Sequence, residues 1–343
     1  MAQVNILFIG EQPVKAAPTL TLASEIEKLG FAAEFSCDAE LDDPARWNRL
    51  MAWADIIIVV DYMGPGSMRL RQLARAAWRG KKIVRWWVGS DVLHISEQPR
   101  WRAAATILDR FTSANIAVSP HLVEELSAMG IAGTYIPSIV SMKVMASDAG
   151  QGLPPRAVLI YLPGNRLEFY GAELCGEVIR ENTDIKFLVV GDDAHTLAGY
   201  GNVESLGWTN MDAVWPRTGA LLRITRHDGM PRMVLEALSL GKYVIYAWEF
   251  PGCWHAKTKA DVQEKLNAFR KMTGPNRQGV ETVRHILQHP PAETFVQTIT
   301  RPSSGPGFRL RIRALLTYLH LSVVIAMWCL KEKFSVFSSG SQK

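Results

Sequence analysis

The sequence has few cysteines, and it lacks both a common metal-binding motif and a common dinucleotide-binding motif. Its 343 residues include four cysteines, scattered without a C-x-x-C pair or an accompanying histidine. No G-x-G-x-x-G follows the first predicted strand, since Gly10 is succeeded by Glu11, Gln12 and Pro13. Those glycines let the backbone approach a dinucleotide pyrophosphate. A nicotinamide dehydrogenase is therefore disfavoured, and neither a zinc site nor a disulfide framework is indicated.

The chain also lacks strong charge and an N-terminal targeting segment. Its net charge is +5, which fits an anionic ligand or a membrane surface but is too small to indicate nucleic acid. The N-terminus enters a strand at once, with no basic region, long apolar core or cleavage site. We therefore expect a cytoplasmic protein with reduced thiols.

Apolar strands alternate regularly with helices. In the first half, strands are predicted at 4–9, 32–35, 56–60 and 82–88, with helices at 18–29 and 68–79. This order predicts parallel sheets. Residues 147–155, rich in Asp, Gly and Pro, have the composition of a linker. The sequence thus predicts an α/β fold with two doubly wound domains, at 1–146 and 155–300, and a tail at 301–343.

Residues 220–250 form the most informative stretch, predicted as strand, loop, helix and strand. Pro231 suits the first helical turn and Gly241 the position past the helix end. The helix, at 231–240, is apolar on nearly every side, which predicts burial.

Two carboxylates bracket the start of this helix. Asp228 lies in the preceding loop and Glu236 within the helix, where a buried carboxylate needs a partner. Their eight-residue separation corresponds to about 12 Å at helical rise, about the distance from the sugar to the ribose of a nucleotide-sugar. The helix N-terminus between them offers N–H groups and a favourable dipole to a diphosphate.

The segment HDGMPRMVLEALSLGKYVI resembles the acid-x7-acid signature of retaining GT-B glycosyltransferases, a group with many bacterial polysaccharide and lipid-sugar enzymes. The family usually has Glu where this chain has Asp228. The resemblance implies two Rossmann-like domains facing a cleft, with Asp228 as the catalytic residue that positions the donor sugar and Glu236 on the ribose. The donor site would also include His227, Gly229, Met230 and Pro231. A merely structural helix, with Glu236 bonded to a neighbouring strand, is the alternative.

On the acceptor side, Gly89-Ser90-Asp91 resembles the family's H-G-(S/T)-D turn. Val88 stands where the family has histidine, and His94 is the candidate to replace it. Asp91 either binds an acceptor hydroxyl or caps the following helix. Ser90 would share this site.

Arg166 follows the predicted strand at 158–162, near the place where the family has an arginine on the donor diphosphate. The lysine usual a few residues later is missing, because the chain reads Tyr170-Gly171 there. Arg166 is then the best candidate for the diphosphate charge, with a solvated surface arginine as the alternative.

Metal is not expected. Asp192 and Asp193 follow the strand at 185–190, where they indicate a turn more than a metal site because no further carboxylate or histidine accompanies them. No D-x-D pair follows a strand, and the resemblance implies a metal-independent reaction without a cofactor.

The tail combines an apolar stretch at 314–330 with flanking basic residues. The stretch at 314–330 holds no charged residue. Its length is at the lower limit for crossing a bilayer, and it also suits a helix in the membrane interface. A helix packed on the protein is the third possibility. A membrane surface contact through 308–333 would place the protein peripherally at the inner face of the plasma membrane.

The function predicted from these features is transfer of a sugar from a UDP- or GDP-sugar to a glycan or polyprenyl-linked acceptor, by a hexosyltransferase of exopolysaccharide or cell-surface glycan synthesis. Two alternatives stay open: a non-catalytic GT-B-like subunit of a membrane-associated assembly, and a nucleotide-sugar epimerase. No nucleic-acid partner is expected.

Overall fold

The computed structural model describes residues 3–10, 18–37, 40–60, 67–138, 154–301 and 307–340, with side chains of the last helix up to residue 327. The chain divides into two compact units. Unit 1 comprises Met1–Ile139 and Pro291–Lys343, and unit 2 comprises Val140–Pro290.

Unit 1 contains a six-stranded parallel sheet flanked by helices. Its strands are β1 (Asn5–Gly10), β2 (Ala32–Cys37), β3 (Ile56–Val60), β4 (Lys82–Trp87), β5 (Ala114–Ala117) and β6 (Thr134–Tyr135). Its helices are α1 (Pro18–Lys28), α2 (Pro44–Trp53), α3 (Ser67–Trp78), α4 (Ser90–Glu97), α5 (Pro99–Asp109), α6 (Pro120–Ala128), α12 (Pro291–Thr300) and α13 (Phe308–Gly340). The spatial order is β2-β1-β3-β4-β5-β6.

Unit 2 contains a second parallel sheet of six strands. They are β7 (Ala157–Tyr161), β8 (Lys186–Val190), β9 (Val203–Gly207), β10 (Ala220–Arg223), β11 (Tyr243–Tyr246) and β12 (Cys253–His255). The helices are α7 (Ala172–Glu181), α8 (Met211–Val214), α9 (Arg232–Ser239), α10 (Lys259–Phe269) and α11 (Arg277–Gln288). The order β12-β11-β10-β7-β8-β9 is that of the doubly wound dinucleotide fold, since the strands wind outward in both directions from β7 and β10.

The predicted alternation of strands and helices is confirmed. The burial of the central strands explains why their apolar runs could be recognised in the sequence. All five residues of β3, Ile56–Val60, are buried, because helices cover both faces of the sheet. The close approach of β1 and β3 requires glycine at position 10, because a Cβ on Gly10 would lie 2.1 Å from the Val60 carbonyl oxygen of the adjacent strand. β1 and β3 could not pack at this distance with a larger residue.

Helix starts follow local capping chemistry. Asp43 accepts hydrogen bonds from Ala45 and Arg46 at the start of α2, and Thr258 forms a capping box with Asp261 at the start of α10. Ser119 is the N-cap residue of α6, but its hydroxyl makes no cap bond and lies 3.3 Å from His121 Nε2.

The unit boundaries differ from the predicted ones. Residues 291–300, assigned by sequence to the second domain, form α12 and belong to unit 1, where Phe295 contacts Trp86 edge to face at 5.9 Å. α13 packs on α3 instead of forming a separate tail. Of the predicted linker, only Pro154 and Pro155 lie within the described residues.

Candidate functional site

The strand order of unit 2 puts its topological switch point at the carboxyl ends of β7 and β10. Connections leave these two neighbouring strands in opposite directions, and open α/β sheets bind their ligands at such a point. The loop after β7 contains Arg166, and the loop after β10 contains Asp228. A backbone bond joins the two loops, with Arg226 N–H donating to the Phe169 carbonyl at 2.9 Å. Sequence-predicted residues from both segments are thus brought together.

The Asp228 carboxylate is held by a buried arginine. Arg223, the last residue of β10, donates through Nε to Asp228 Oδ2 at 2.6 Å, and the two side chains are 6% and 14% exposed. Gly229 N–H donates to the other carboxylate oxygen at 3.1 Å, and Thr225 Oγ1 lies 3.4 Å from Oδ2. Burial acts to lower the pKa of Arg223, but the attraction of Asp228 prevails and the pKa is raised. Arg223 is therefore a permanent cation beside Asp228.

Aromatic rings surround this ion pair. The Arg223 guanidinium lies 5.5 Å from the Tyr161 ring centroid and 5.3 Å from that of Tyr170, distances typical of cation–π contacts. Tyr246 donates its hydroxyl to the Gly229 carbonyl at 3.1 Å. Burial, followed by repulsion from neighbouring charges, raises the pKa of both Tyr161 and Tyr246. These phenols stay neutral near pH 7, where they can donate hydrogen bonds.

Sequence reasoning missed Arg223, Tyr161, Tyr170 and Tyr246. An arginine at the end of the apolar strand ALLR was the available signal, because a buried cation requires an anionic partner. Tyr161 and Tyr246 gave none, since a strand-end aromatic is also common in cores, and Tyr170 stands out only as the residue in place of the family's lysine.

Arg166 is exposed and packs on an aromatic ring. Its guanidinium carbon lies 4.0 Å from the Phe169 ring centroid and 5.9 Å from that of Tyr170. Stacking limits the orientations of the side chain while leaving its N–H donors open to an anion. The assignment of Arg166 to a diphosphate stays a prediction.

Helix α9 is shorter and more amphipathic than predicted. It starts at Arg232, with Pro231 as N-cap, and ends at Ser239. Because only half of the interval from Asp228 to Glu236 is helical, the predicted 12 Å at helical rise does not apply to all of it. The N-terminus of α9 has no side-chain cap, and the Val234 N–H already donates to the Pro231 carbonyl at 3.0 Å. The N–H groups of Arg232 and Met233 are therefore the candidates to meet an anion.

Glu236 is only partly buried, contrary to the expectation of a helix enclosed on all sides. Its side chain is 20% exposed and accepts a hydrogen bond from Arg232 Nε at 2.6 Å, one helical turn earlier. The partner that the sequence required is therefore a neighbour on the same helix and not a strand.

The other predicted donor residues fill the loop before α9. His227 is buried, with its ring 5.6 Å from that of Trp248 in an edge contact. Met230 is also buried. Gly229 serves through its backbone, whose N–H and C=O bond to Asp228 and Tyr246.

On the predicted acceptor side, in unit 1, Asp91 supports the loop before α4. Its fully buried carboxylate accepts hydrogen bonds from the N–H groups of Val88, Gly89 and Val92 at 2.9 to 3.3 Å, and Arg85 lies 3.8 Å away. Of the two roles left open by the sequence, this geometry is that of a structural cap.

Ser90 and His94 lie on α4 beside that loop. Ser90 is the first residue of the helix. His94 is half-buried, and within the described part of the chain its Nδ1 has no hydrogen-bond partner. Their acceptor roles stay predictions.

Asp192 and Asp193 serve a turn. Asp192 is fully buried and accepts bonds from the N–H groups of Ala194 and Thr196, while Asp193 accepts from Trp208. Among the residues that the structure describes, no three His, Cys, Asp or Glu side chains are grouped to bind a metal.

Comparison with solved structures identifies the architecture. HepE of Anabaena in complex with UDP is 15% identical over 88% of this chain and 100% of its own, with a TM-score of 0.63. The same protein with UDP-glucose gives 0.62 at 15% identity and the same coverage. Sucrose-phosphate synthase of Thermosynechococcus elongatus is 11% identical over 97% of this chain and 100% of its own, with a TM-score of 0.53.

The sequence itself matches no protein-family model and no curated protein. The structural neighbours have GT-B glycosyltransferase folds, and the two parallel six-stranded sheets of this chain match them. The chain therefore has the GT-B fold.

Proposed function

We propose that the protein is a glycosyltransferase that moves a sugar from a nucleotide-diphosphate donor to a glycan or polyprenyl-linked acceptor. The observation that most supports this function is the Asp228–Arg223 ion pair. It comes shortly before the N-terminus of α9, which has no side-chain cap, at the carboxyl ends of β7 and β10. The neighbour HepE binds UDP and UDP-glucose on a similar fold, which favours a UDP-sugar over a GDP-sugar.

In the proposed mechanism, the N–H groups of α9 and the Arg166 guanidinium meet the charge that develops on the leaving diphosphate. Glu236 receives the ribose hydroxyls, and Asp228 orients the donor sugar. The 2.6 Å hydrogen bond from Arg223 holds Asp228 in place, so that the carboxylate needs no reorganisation during transfer. The acceptor hydroxyl loses its proton to a leaving phosphate oxygen or to a nearby side chain, and the anomeric configuration is retained.

Two observations favour a non-catalytic subunit as the second candidate. Both oxygens of Asp228 already bond to the protein, and the family's lysine is replaced by Tyr170. Such a subunit would still bind nucleotide but would not turn it over.

The test begins with thermal stabilisation by UDP, GDP, ADP and CDP, followed by incubation of the corresponding nucleotide-sugars with and without candidate glycan and polyprenyl-linked acceptors. We expect stabilisation by UDP and acceptor-dependent release of nucleotide, with a product of the donor's anomeric configuration by proton NMR. Inversion at the anomeric carbon would contradict retention. Binding without turnover would support the subunit, and conversion of the donor sugar without acceptor would indicate an epimerase.

A further inference from the structure

Helix α13 presents two opposite faces. The inward face is buried in unit 1, where Ala314, Thr317 and Leu321 are at most 5% exposed. Ala314 and Leu321 join the core cluster beneath α3. This part of the helix is therefore integral to unit 1.

Specific contacts fix the rotation of α13 on α3. Arg71 donates through Nε to the Ser322 hydroxyl at 2.8 Å, and its guanidinium lies 5.2 Å from the Tyr318 ring centroid. The Tyr318 and Trp78 rings stack at 6.4 Å, and Arg311 donates to the Trp78 carbonyl at 3.1 Å. The opposite face must then point away from α3.

That outward face is apolar. Six large apolar residues recur every three or four positions, and each is 40–79% exposed. This α13 stripe consists of Phe308, Ile312, Leu316, Leu319, Val323 and Met327. At 1.5 Å per residue it is about 28 Å long. Soluble proteins rarely expose a continuous apolar strip of this length, so it indicates a binding surface.

The surroundings of the stripe are basic. No acidic residue occurs from 302 to 331, or from 67 to 82 in the region of α3. Exposed arginines on or directly after these two helices are Arg75, Arg79, Arg309, Arg311 and Arg313. An apolar strip with cations beside it, in a segment of sequence without acidic residues, complements a surface that is apolar within and anionic at its boundary.

A groove beside the stripe concentrates this charge. It has a volume of about 430 Å³ and is lined by Arg110, Arg313, Leu316, Thr317 and His320. Two guanidinium groups and an imidazole thus share an opening with an apolar stripe residue. A phospholipid offers the matching phosphate in its headgroup and an acyl chain for the apolar residue.

We propose that α13 lies flat on an anionic lipid bilayer, with the stripe inserted at the interface and the arginines on headgroup phosphates. Length and composition alone would let Phe308–Met327 cross a membrane. Crossing would, however, remove Ala314 and Leu321 from the core of unit 1 and break the Arg71–Ser322 hydrogen bond. Flat binding preserves the core contacts and the hydrogen bond. The inference does not depend on the proposed activity.

The test uses the full chain and phosphatidylcholine vesicles with or without phosphatidylglycerol. We expect flotation with anionic vesicles, weak flotation with neutral ones, and release by salt and by alkaline carbonate. Protein that resists carbonate would be membrane-spanning and would overturn flat binding. Absence of flotation with anionic vesicles would overturn the membrane assignment.

Two double variants separate the contributions. Leu316→Ser with Val323→Ser should abolish flotation, while Arg309→Gln with Arg313→Gln should weaken anionic-vesicle binding about thirtyfold, at about a tenfold loss per 1.4 kcal/mol. All four side chains are exposed, so the melting curves should match the parent. Leu20→Ser with Leu29→Ser, exposed positions in and beside α1, is the matched control and should float normally.

A second copy of the chain is the competing occupant. Sedimentation without vesicles distinguishes it, because a dimer that the Leu316→Ser/Val323→Ser variant converts to a monomer would assign the stripe to self-association. A parent that is monomeric and floats supports the bilayer.

Discussion

At the residue scale, Asp228 depends on Arg223. The 2.6 Å bond joins two side chains that are each less than 15% exposed, so removing either partner leaves a poorly solvated charge. Any functional test of Asp228 must therefore separate loss of chemistry from loss of folding.

Substitutions at Asp228 and Arg223 should distinguish loss of catalysis from loss of folding. We expect Asp228→Ala to destabilise unit 2 by about 3–5 kcal/mol because Arg223 is left unpaired. Asp228→Asn should keep more of the fold while lowering turnover about a hundredfold or more, with little change in affinity for the free nucleotide. Melting curves, kcat and calorimetric Kd measure the three quantities.

The control is Arg223→Met with Asp228→Leu, which replaces both charges by apolar groups. Its stability should recover relative to Asp228→Ala, while transfer stays lost. If Asp228→Asn lowers turnover and nucleotide affinity to the same extent, Asp228 acts on the diphosphate or the loop and not on the sugar.

Glu236 gives a second prediction at this scale. Glu236→Gln should weaken nucleotide diphosphate binding by about 1–3 kcal/mol, the range for a lost charge-assisted hydrogen bond. Isothermal calorimetry measures it, with Glu264→Gln, a highly exposed position on α10, as control.

Arg232→Ala distinguishes a Glu236 that binds the ribose from one that only pairs with Arg232, because it removes the partner of Glu236 but keeps the Glu236 carboxylate. Unchanged affinity in a folded Glu236→Gln protein would exclude the ribose role and leave Glu236 as a surface ion-pair residue.

At the element scale, the proposed metal-independent binding of a diphosphate rests on α9. Its first N–H groups lack a side-chain cap, and Arg166 stands on the neighbouring loop. Helix termini favour anions through these groups and the helix dipole.

Transfer should accordingly continue in EDTA at an unchanged rate. The measurement is initial velocity with chelator, and then with added Mg²⁺ or Mn²⁺. Arg166→Gln should lower the rate in both conditions. Loss of transfer in EDTA and its recovery with manganese would contradict the metal-independent mechanism.

At the scale of the whole molecule, the chain returns to its first unit after the second. α12 and α13 pack on unit 1, and the core there includes Ala314 and Leu321. The C-terminal segment is thus a structural component of unit 1 as well as the carrier of the α13 stripe.

Removal of residues 308–343 should therefore destabilise unit 1 by at least about 3 kcal/mol, since burial of each large apolar side chain contributes about 1.5–3 kcal/mol. Calorimetry should show a lower melting temperature for one transition, while the transition that responds to nucleotide is preserved. A chain ending at residue 330 is the control because it keeps the packed face. An unchanged melting profile without 308–343 would mean that α13 contributes no core packing.

The sequence by itself determined the alternation of strands and helices, the bounds of the strands it predicted to within about two residues, and the strand–loop–helix–strand order of residues 220–250. These follow from local causes: side-chain periodicity, Pro and Gly at helix ends, and a contiguous motif. Only the tertiary structure decided that Arg223 holds Asp228, that Arg232 holds Glu236, that Asp91 is a buried cap, and that residues after 290 rejoin unit 1. Several of these depend on contacts between distant segments, and all depend on side-chain direction and burial, which local pattern does not encode. The same reason explains the tail: its composition predicted a membrane contact, but only its packing on α3 determined which face is left exposed.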